Sequence, residues 1–163
     1  MKALSGYAEW FWLMAKHRVE HDGWKDVENR NWSLPHAIAM YLPQRIYLHA
    51  SKKPTTQEEL IFISTLLTST QWDEFVAVKW DNLRGCIIGK TTITRQMRKF
   101  QYTEADHVDC GSQQRETSLL ANDASRSKWF FGKFGFVVCD GELLDNPIPY
   151  KGQLGFFEVN LNE

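Results

Sequence analysis

The sequence has 163 residues, of which 43% are hydrophobic and 13% aromatic, and its formal net charge is −1 at pH 7. This length fits a single domain with its own core, and so many aromatic residues exclude a disordered chain. The near balance of charge excludes a surface that binds polyanions everywhere, so any contact with nucleic acid has to come from a local basic patch.

The N-terminal part predicts a short strand followed by an amphipathic helix. Residues 2–5 suit a first strand, and Ser5 suits the N-cap of the helix that follows. Apolar side chains then recur at helical spacing, which predicts a helix from residue 8 to about residue 18. The Asp22-Gly23 pair ends this unit with a turn.

The central part predicts a strand, a capped helix and a second strand. Residues 45–50 indicate the first of these strands. Thr56 and Glu59 have the spacing of a capping box, so we expect a helix from there to about residue 70. Residues 85–94 are rich in β-branched side chains and predict a strand. The same segment is one residue too short for a phosphate-binding P-loop, which also has to open a helix.

A polar stretch separates these elements from the C-terminal ones. Residues 96–127 are weakly periodic, and we expect a long insertion with one short helix near residues 116–122. We therefore predict one domain over residues 1–163 that carries an insertion at about residues 96–127.

The C-terminal part predicts strands that follow one another directly. Residues 134–139 predict a strand, and Asp140-Gly141 predicts a hairpin turn into a return strand at residues 142–144. Residues 153–161 predict the last strand. Five or six short strands, the final ones without helices between them, favour an α+β protein: a small mixed or antiparallel β-barrel with helices packed on it.

The patterns of cysteine, histidine and hydropathy indicate the cellular location and the metal content that we expect. The three cysteines, Cys86, Cys110 and Cys139, form an odd and scattered set, which indicates reduced thiols. The N-terminus lacks the apolar core of a signal peptide, and no stretch reaches the roughly 20 apolar residues that a membrane span needs. We expect a cytoplasmic protein without membrane contact and favour a monomer. Histidine and cysteine spacings do not match zinc sites, so we expect no metal and no cofactor.

Residues 23–32 concentrate charged and aromatic side chains. If the segment is extended, Glu28 and Arg30 share a face that Lys25 does not, whereas a preceding turn lets all three converge on one cleft. Such a cluster supplies a cation, a carboxylate that orients it or accepts a proton, and a planar donor for phosphate or carboxylate. Trp32 offers a ring on which a base can stack. The alternative is a surface salt bridge beside a tryptophan anchored in the core.

Three stretches contain basic residues and no acidic ones: residues 82–103, 43–57 and 124–139. If they converge, a nearly neutral protein gains a basic groove that can follow a phosphate backbone. The alternative is a set of scattered solvated faces.

The spacing Gly-x-Lys-x-x-Glu-x-Arg at Gly23, Lys25, Glu28 and Arg30 resembles the signature of the ASCH domain family. Other segments resemble this family in the same order along most of the chain: residues 1–5, Trp10, and residues 45–51, 84–89, 129–136 and 147–152. The resemblance implies a PUA-like β-barrel whose cleft, between the barrel and the first helix, is lined by the signature loop. It also implies RNA or a nucleoside-like small molecule as ligand. Some small members are amidohydrolases that remove an acyl group from cytidine, and others are described as ribonucleases.

On these grounds we name Lys25 and Glu28 as candidate catalytic residues. The candidate ligand-binding residues are Arg30, Trp32, Ser5, His49, Lys52, Lys128 and Trp129. In a binding module the basic residues contact phosphates and the tryptophans stack on bases. In a hydrolase, Lys25 is the base or electrostatic stabiliser, Glu28 orients it or accepts protons, and Arg30 binds the substrate. A third hypothesis is a protein-interaction role for the insertion.

The chain also departs from the family pattern. Residues 6–9 replace the Gln-Pro pair that follows the first strand in the family, and residues 18–22 and 96–127 look like insertions. The acyl-cytidine amidohydrolases have threonine at the position of Glu28, so their catalytic set does not transfer residue by residue.

Overall fold

One curled sheet of six strands runs through the computed structural model, which describes residues 1–99 and 127–161. In chain order the strands of these described residues are β1 (Lys2–Gly6), β2 (Val27–Arg30), β3 (Gln44–Ala50), β4 (Cys86–Arg98), β5 (Phe134–Pro149) and β6 (Phe156–Glu158). Their order across the sheet is β2-β5-β4-β3-β1-β6, in which β1 and β3 are parallel and the other neighbours antiparallel. The predicted α+β class with a mixed sheet is confirmed, and the sheet is a half-barrel.

The two edges of the sheet approach each other through side chains. Trp32, which follows edge strand β2, packs edge-to-face on Phe156 of the opposite edge strand β6, with 6.0 Å between the ring centroids. Arg30 of β2 donates from Nη2 to the backbone oxygen of Ser5 in β1 at 2.8 Å. Among the described residues no backbone pairing joins β2 to β1 or β6. We call this open gap between β2 and β1 the seam.

Helix α1 (Ala8–Lys16) packs against β3, β4 and β5, and every one of its residues up to Ala15 is buried. It ends two residues earlier than predicted. The predicted N-cap, Ser5, is wrong, because β1 continues to Gly6 and the helix begins after Tyr7, which forms no side-chain cap. The buried Glu9 of α1 is neutralised by Arg84, whose Nη2 lies 2.5 Å from Oε1.

The predicted helix up to about residue 70 is two helices. The other helices of the described residues are α2 (His36–Ala39), α3 (Gln57–Leu66) and α4 (Ser69–Val76), and a 3₁₀ turn follows at Trp80–Asn82. The predicted capping box of Thr56 and Glu59 is confirmed at the start of α3. A second capping box, formed by Thr68 and Gln71, starts α4. Because each box binds the amides of a first helical turn, the second one interrupts the expected single helix.

The hairpin predicted at Asp140-Gly141 is wrong, because β5 continues through both residues. Cys139 and Glu142 lie three positions apart on β5, but their pairing partners on β4 lie only two positions apart. β5 therefore carries an extra residue there as a β-bulge. Asp140 has a φ of 50°. The Gly141 amide donates to the His17 oxygen at 2.6 Å, and a Cβ on Gly141 would lie 2.5 Å from that oxygen. The pair therefore bends the strand past the end of α1.

Other strand boundaries also differ from the prediction. β4 extends to Arg98, β2 was not predicted, and the expected strand over residues 153–161 is confined to Phe156–Glu158. The helix expected near residues 116–122 lies outside the described residues, as does most of the expected insertion. None of the described helices has the length and apolar character needed to cross a membrane.

Candidate functional site

The loop between α1 and β2 is organised by the carboxylate of Asp22. It accepts hydrogen bonds from three backbone amides of the loop, at 2.8 to 3.3 Å, and lies 2.8 Å from Nδ1 of the buried His17. Burial alone would raise the pKa of Asp22, but these hydrogen bonds outweigh it and lower the pKa. Gly23, with a φ of 79°, then turns the chain so that Lys25 precedes β2 on the inner side.

Lys25, Glu28 and Arg30 meet at the seam and form what we call the Lys-Glu-Arg cluster. Glu28 and Arg30 lie two apart on β2 and therefore share a face, and the turn at Gly23 brings Lys25 to the same place. Lys25 Nζ bonds Glu28 Oε2, and Arg30 Nη2 lies 2.9 Å from Glu28 Oε1. The side chains of Lys25 and Glu28 are only 2% and 9% exposed. The cluster is thus a sheltered ion network and not a surface salt bridge.

Burial and the Arg30 charge set the electrostatics of this cluster. Burial lowers the pKa of Lys25 although the neighbouring Glu28 carboxylate opposes this. Burial alone would raise the pKa of Glu28, but the charges of Lys25 and Arg30 outweigh it and lower the pKa. One carboxylate between two cations leaves a net charge of about +1 when all three groups are ionised. The cluster therefore favours an anionic ligand and holds an amine that loses its proton more easily than an exposed lysine.

The cluster opens into a cleft of about 510 Å³, which we call the charged cleft. Its wall combines the cluster with residues of β1, α1 and the later loops, among them Ser5, Tyr7, Trp10, Lys53 and Phe131. The Lys25 Nζ lies 5.8 Å from the ring centroid of Trp10, a cation–π arrangement. The Nε of Arg30 is buried and has no hydrogen-bond partner among the described residues.

A second cleft of about 840 Å³, the neighbouring cleft, adjoins the first. The two clefts share Ser5, Ser51 and Leu154 in their walls. His49, Lys52 and Lys151 line only the neighbouring cleft, and none of its described lining residues is acidic. The two hollows therefore form one groove, in which the neighbouring cleft is lined by basic and no acidic described residues and the charged cleft by three basic residues and by Glu28 and Glu59.

Six of the residues named from the sequence lie in this groove. Ser5, Lys25, Glu28 and Arg30 line the charged cleft, and Ser5 also lines the neighbouring cleft. His49 and Lys52 complete the set in the neighbouring cleft. Residues on or next to β1, β2 and β3 are thereby brought together, although Ser5 and Lys52 are 47 positions apart in the chain.

Three of the named residues, Trp32, Lys128 and Trp129, line neither of the two clefts. Trp129 is 1% exposed and donates from Nε1 to the Gly23 oxygen at 3.3 Å, so its ring supports the loop before β2 from the core. Lys128 donates from Nζ to the Leu66 oxygen at 2.5 Å, outside both clefts. Trp32 packs on Phe156 of β6, at the contact between the two edges of the sheet. No face of the buried Trp129 ring is available for a base.

The acid-free stretches converge only in part. Lys52 and Lys53 face the two clefts. Arg84 is bound instead to the buried Glu9, and Arg45 lies 2.8 Å from a glutamate of β5. Two of the arginines counted from the sequence are thus neutralised by folded-state partners that no local pattern shows.

Several site residues were not identified from the sequence. Lys53 and Lys151 line the clefts, and Lys53 follows directly after the identified Lys52. Asn29 accepts at Oδ1 from the amides of Phe131 and Gly132, at 2.9 and 2.8 Å, and so fixes the turn that carries Phe131 into the charged cleft. The only local signal for this role is an asparagine in a strand, where asparagine is otherwise disfavoured.

Neither a metal-binding arrangement among the described residues nor similarity to a known protein assigns a function to this site. Within residues 1–99 and 127–161, no three His, Cys, Asp or Glu side chains are grouped as a metal ion would require. No protein-family model matches the chain, and no curated protein is significantly similar to it. The geometry of the site is therefore what points to a function.

Proposed function

We propose that the charged cleft binds RNA or a nucleoside-related ligand, in a PUA-like barrel of the ASCH type. The observation that carries this proposal is the convergence of Lys25, Glu28 and Arg30 on a cleft of about 510 Å³. A cleft of this volume lies within the range that encloses small ligands. Its surplus of positive charge favours a ligand that carries phosphate.

The architecture around the cleft also supports the proposal. The signature spacing lies at the seam of a curled six-stranded sheet, and helix α1, which packs on that sheet, contributes Trp10 to the same wall. A cleft bordered by the first helix and by residues of the signature spacing supports the expectation that comes from the resemblance to ASCH and PUA domains. The resemblance rests on ordered segments along most of the chain and not on the signature alone.

Recognition in this cleft uses residues other than the tryptophans named from the sequence. Tyr7 and Phe131 line the cleft, and Phe131 is 44% exposed, so they offer aromatic faces for a base. Arg30 supplies the guanidinium for a phosphate, and Lys53 lies above the Tyr7 ring, 5.7 Å from its centroid. Base and phosphate contacts are therefore available in one hollow.

Binding is tested by titrating short single-stranded RNAs and cytidine derivatives into the wild-type protein and an Arg30→Gln variant. A charged hydrogen bond contributes about 1.5–3 kcal/mol, so the variant is expected to bind at least about 10-fold more weakly. The exposed Lys79, which lines neither cleft, provides the matched control Lys79→Gln. Affinity should decrease as salt increases. Absence of binding at low salt, with the variants correctly folded, rules the proposal out.

Hydrolysis of a modified nucleoside or of an RNA phosphodiester is the second candidate function. It is favoured by the lowered pKa of the buried Lys25, because an amine that is easily deprotonated can act as a general base. Lys25→Arg keeps the cation but removes the base, since arginine stays protonated in proteins. We expect this variant to bind acylated cytidine and to lose turnover, measured chromatographically. Equal turnover in the wild type and the variant excludes Lys25 as the base.

A further inference from the structure

Ser5 and His49 are hydrogen-bonded at the place where the two clefts meet. The parallel register of β1 and β3 sets them directly opposite each other, with 3.0 Å between Ser5 Oγ and His49 Nδ1. Ser5 lines both clefts and His49 lines the neighbouring cleft. A hydroxyl group and an imidazole are therefore paired at the wall of a ligand-sized groove.

The other nitrogen of His49 determines the direction of this hydrogen bond. His49 Nε2 lies 3.0 Å from the backbone oxygen of Tyr150, and a carbonyl oxygen can only accept, so Nε2 carries the proton. In the neutral ring Nδ1 then bears a lone pair, and the Ser5 hydroxyl donates to it. This is the direction that a serine nucleophile and its general base require.

The surroundings hold the imidazole in this orientation. His49 is 3% exposed, and a Cβ on Gly152 would lie only 2.2 Å from the ring. Phe157 packs edge-to-face on the ring with 5.9 Å between the centroids. A β-bulge between Leu48 and His49 directs the side chain at this point of β3. Burial lowers the pKa of His49 below its ordinary value of 6.5, which keeps the ring neutral at neutral pH.

A hydroxyl group with a purely structural role in this protein differs from that of Ser5 in its exposure and in its hydrogen-bond partner. Thr91 is fully buried, and its Oγ1 donates to the Cys139 oxygen at 2.9 Å. Ser5 is partly exposed, donates to a ring nitrogen and not to a carbonyl, and faces two clefts. Access and the basic partner distinguish Ser5 from a satisfied core hydroxyl.

We propose that Ser5 and His49 form a nucleophile and general-base pair that cleaves an ester or amide in the groove by acyl transfer. The Tyr150 carbonyl orients His49, in the position that a carboxylate occupies in other catalytic triads. Arg30 Nη2 donates to the backbone oxygen of Ser5, so the residue that carries the nucleophile is fixed by a cationic group. The proposal is independent of nucleoside binding, because it concerns the acyl group of the ligand and not its base.

The reaction balances with water as the only co-reactant. Ser5 Oγ forms a bond to the carbonyl carbon while its proton moves to His49 Nδ1. The tetrahedral oxyanion collapses, the bond to the leaving alcohol or amine breaks, and the leaving group takes the proton from Nδ1. Water then attacks the acylated Ser5 and loses a proton to Nδ1. The bond to Ser5 Oγ breaks, Oγ takes the proton back from Nδ1, and a carboxylic acid and free Ser5 are released.

The test labels the wild-type protein with a fluorophosphonate, which phosphonylates activated serines with loss of fluoride, and maps the adduct by peptide mass spectrometry. We expect one adduct, on Ser5. Ser51 is the internal control because it lines both clefts, and no hydrogen bond links its described side chain to a histidine. An unlabelled protein, or an adduct on Ser51 and not on Ser5, overturns the proposal.

Variants separate the nucleophile from the base. We expect Ser5→Ala to abolish labelling and His49→Gln to slow it by about 100-fold or more. Ser64→Ala, at an exposed position on α3, should label as the wild type does. If a folded His49→Gln protein is labelled as fast as the wild type, His49 is not the general base. If that variant fails to fold, the adduct map of the wild-type protein tests the proposal instead. The probe contains no nucleoside, so failure of RNA binding leaves this result unaffected.

Discussion

Replacing Glu28 with glutamine removes the carboxylate that lies between the Lys25 ammonium and the Arg30 guanidinium. The side chains of Lys25 and Glu28 are 2% and 9% exposed, so water screens the change very little. Removal of one partner from a buried ion pair costs about 3–5 kcal/mol, because the remaining charge is left without compensation. In a protein of this size each kcal/mol lowers the Tm by about 2–4 °C, so we expect a fall of about 10 °C.

The pH dependence of the loss in unfolding free energy gives a further check on the cause of that loss. Without the Glu28 carboxylate the buried Lys25 prefers its neutral form even more strongly, so its pKa in the folded state falls further. A lysine whose pKa is lower in the folded state costs stability as pH falls from its ordinary pKa of 10.5 towards the lowered pKa of the folded state. The cost of Glu28→Gln should therefore be larger at pH 7 than at pH 9.

Urea unfolding, followed by the fluorescence of the seven tryptophans, measures these free energies. The double variant Lys25→Met, Glu28→Gln should lose less than the sum of the single variants, with a coupling of about 1–3 kcal/mol. Glu74→Gln, which breaks an exposed pair with Lys16, should change the free energy of unfolding by less than about 1 kcal/mol. If Glu28→Gln costs no more than this control, or the cycle is additive, the sheltered cluster does not exist in solution.

Three further predictions concern the loop, the bulge and the second helix. The lowered pKa values of Asp22 and Glu28 mean that both carboxylates stabilise the fold when ionised, so the free energy of unfolding should decrease as pH falls below 4.5, the ordinary glutamate value. Constant stability down to pH 3 contradicts this. Gly141→Ala places a Cβ 2.5 Å from the His17 oxygen and should cost about 1–3 kcal/mol in urea unfolding, whereas an unchanged midpoint would show that the strand does not pass so close to α1. Thr68→Ala removes an N-cap and should cost about 1 kcal/mol by the same assay, and a neutral result would mean that α4 does not depend on its capping box.

Local signals predicted much of the secondary structure, and their failures have physical causes. The capping box at Thr56 was identified and confirmed, whereas the same type of signal at Thr68, directly after the two leucines at the end of α3, was not identified. Asp140-Gly141 fits a hairpin turn in isolation, yet the same pair forms a bulge where β5 bends past the end of α1. Tertiary contact decides between these two uses of the same dipeptide.

The site was predictable to the extent that it is local in sequence. Lys25, Glu28 and Arg30 lie within six residues, and their spacing allowed a converging arrangement as one of two alternatives. The pairing of Ser5 with His49 across 44 positions depends on the parallel register of β1 and β3, which no local pattern reveals. The burial of aromatic rings near the site depends in the same way on the whole fold.

An open seam is an unusual feature to keep in a sheet, because unpaired strand edges leave backbone groups without partners and invite wrong pairing. The edge strands here are β2 and β6, and within β1 only Ser5 and Gly6 lack a pairing partner on the side of β6. Arg30 Nη2 spans the seam and binds Glu28 Oε1 on its own strand and the Ser5 oxygen on the other. One guanidinium thus links the ion cluster to the strand that carries the hydroxyl. Since a buried ion network adds little stability in comparison with apolar packing, its position in the wall of the charged cleft supports the proposed ligand-binding role.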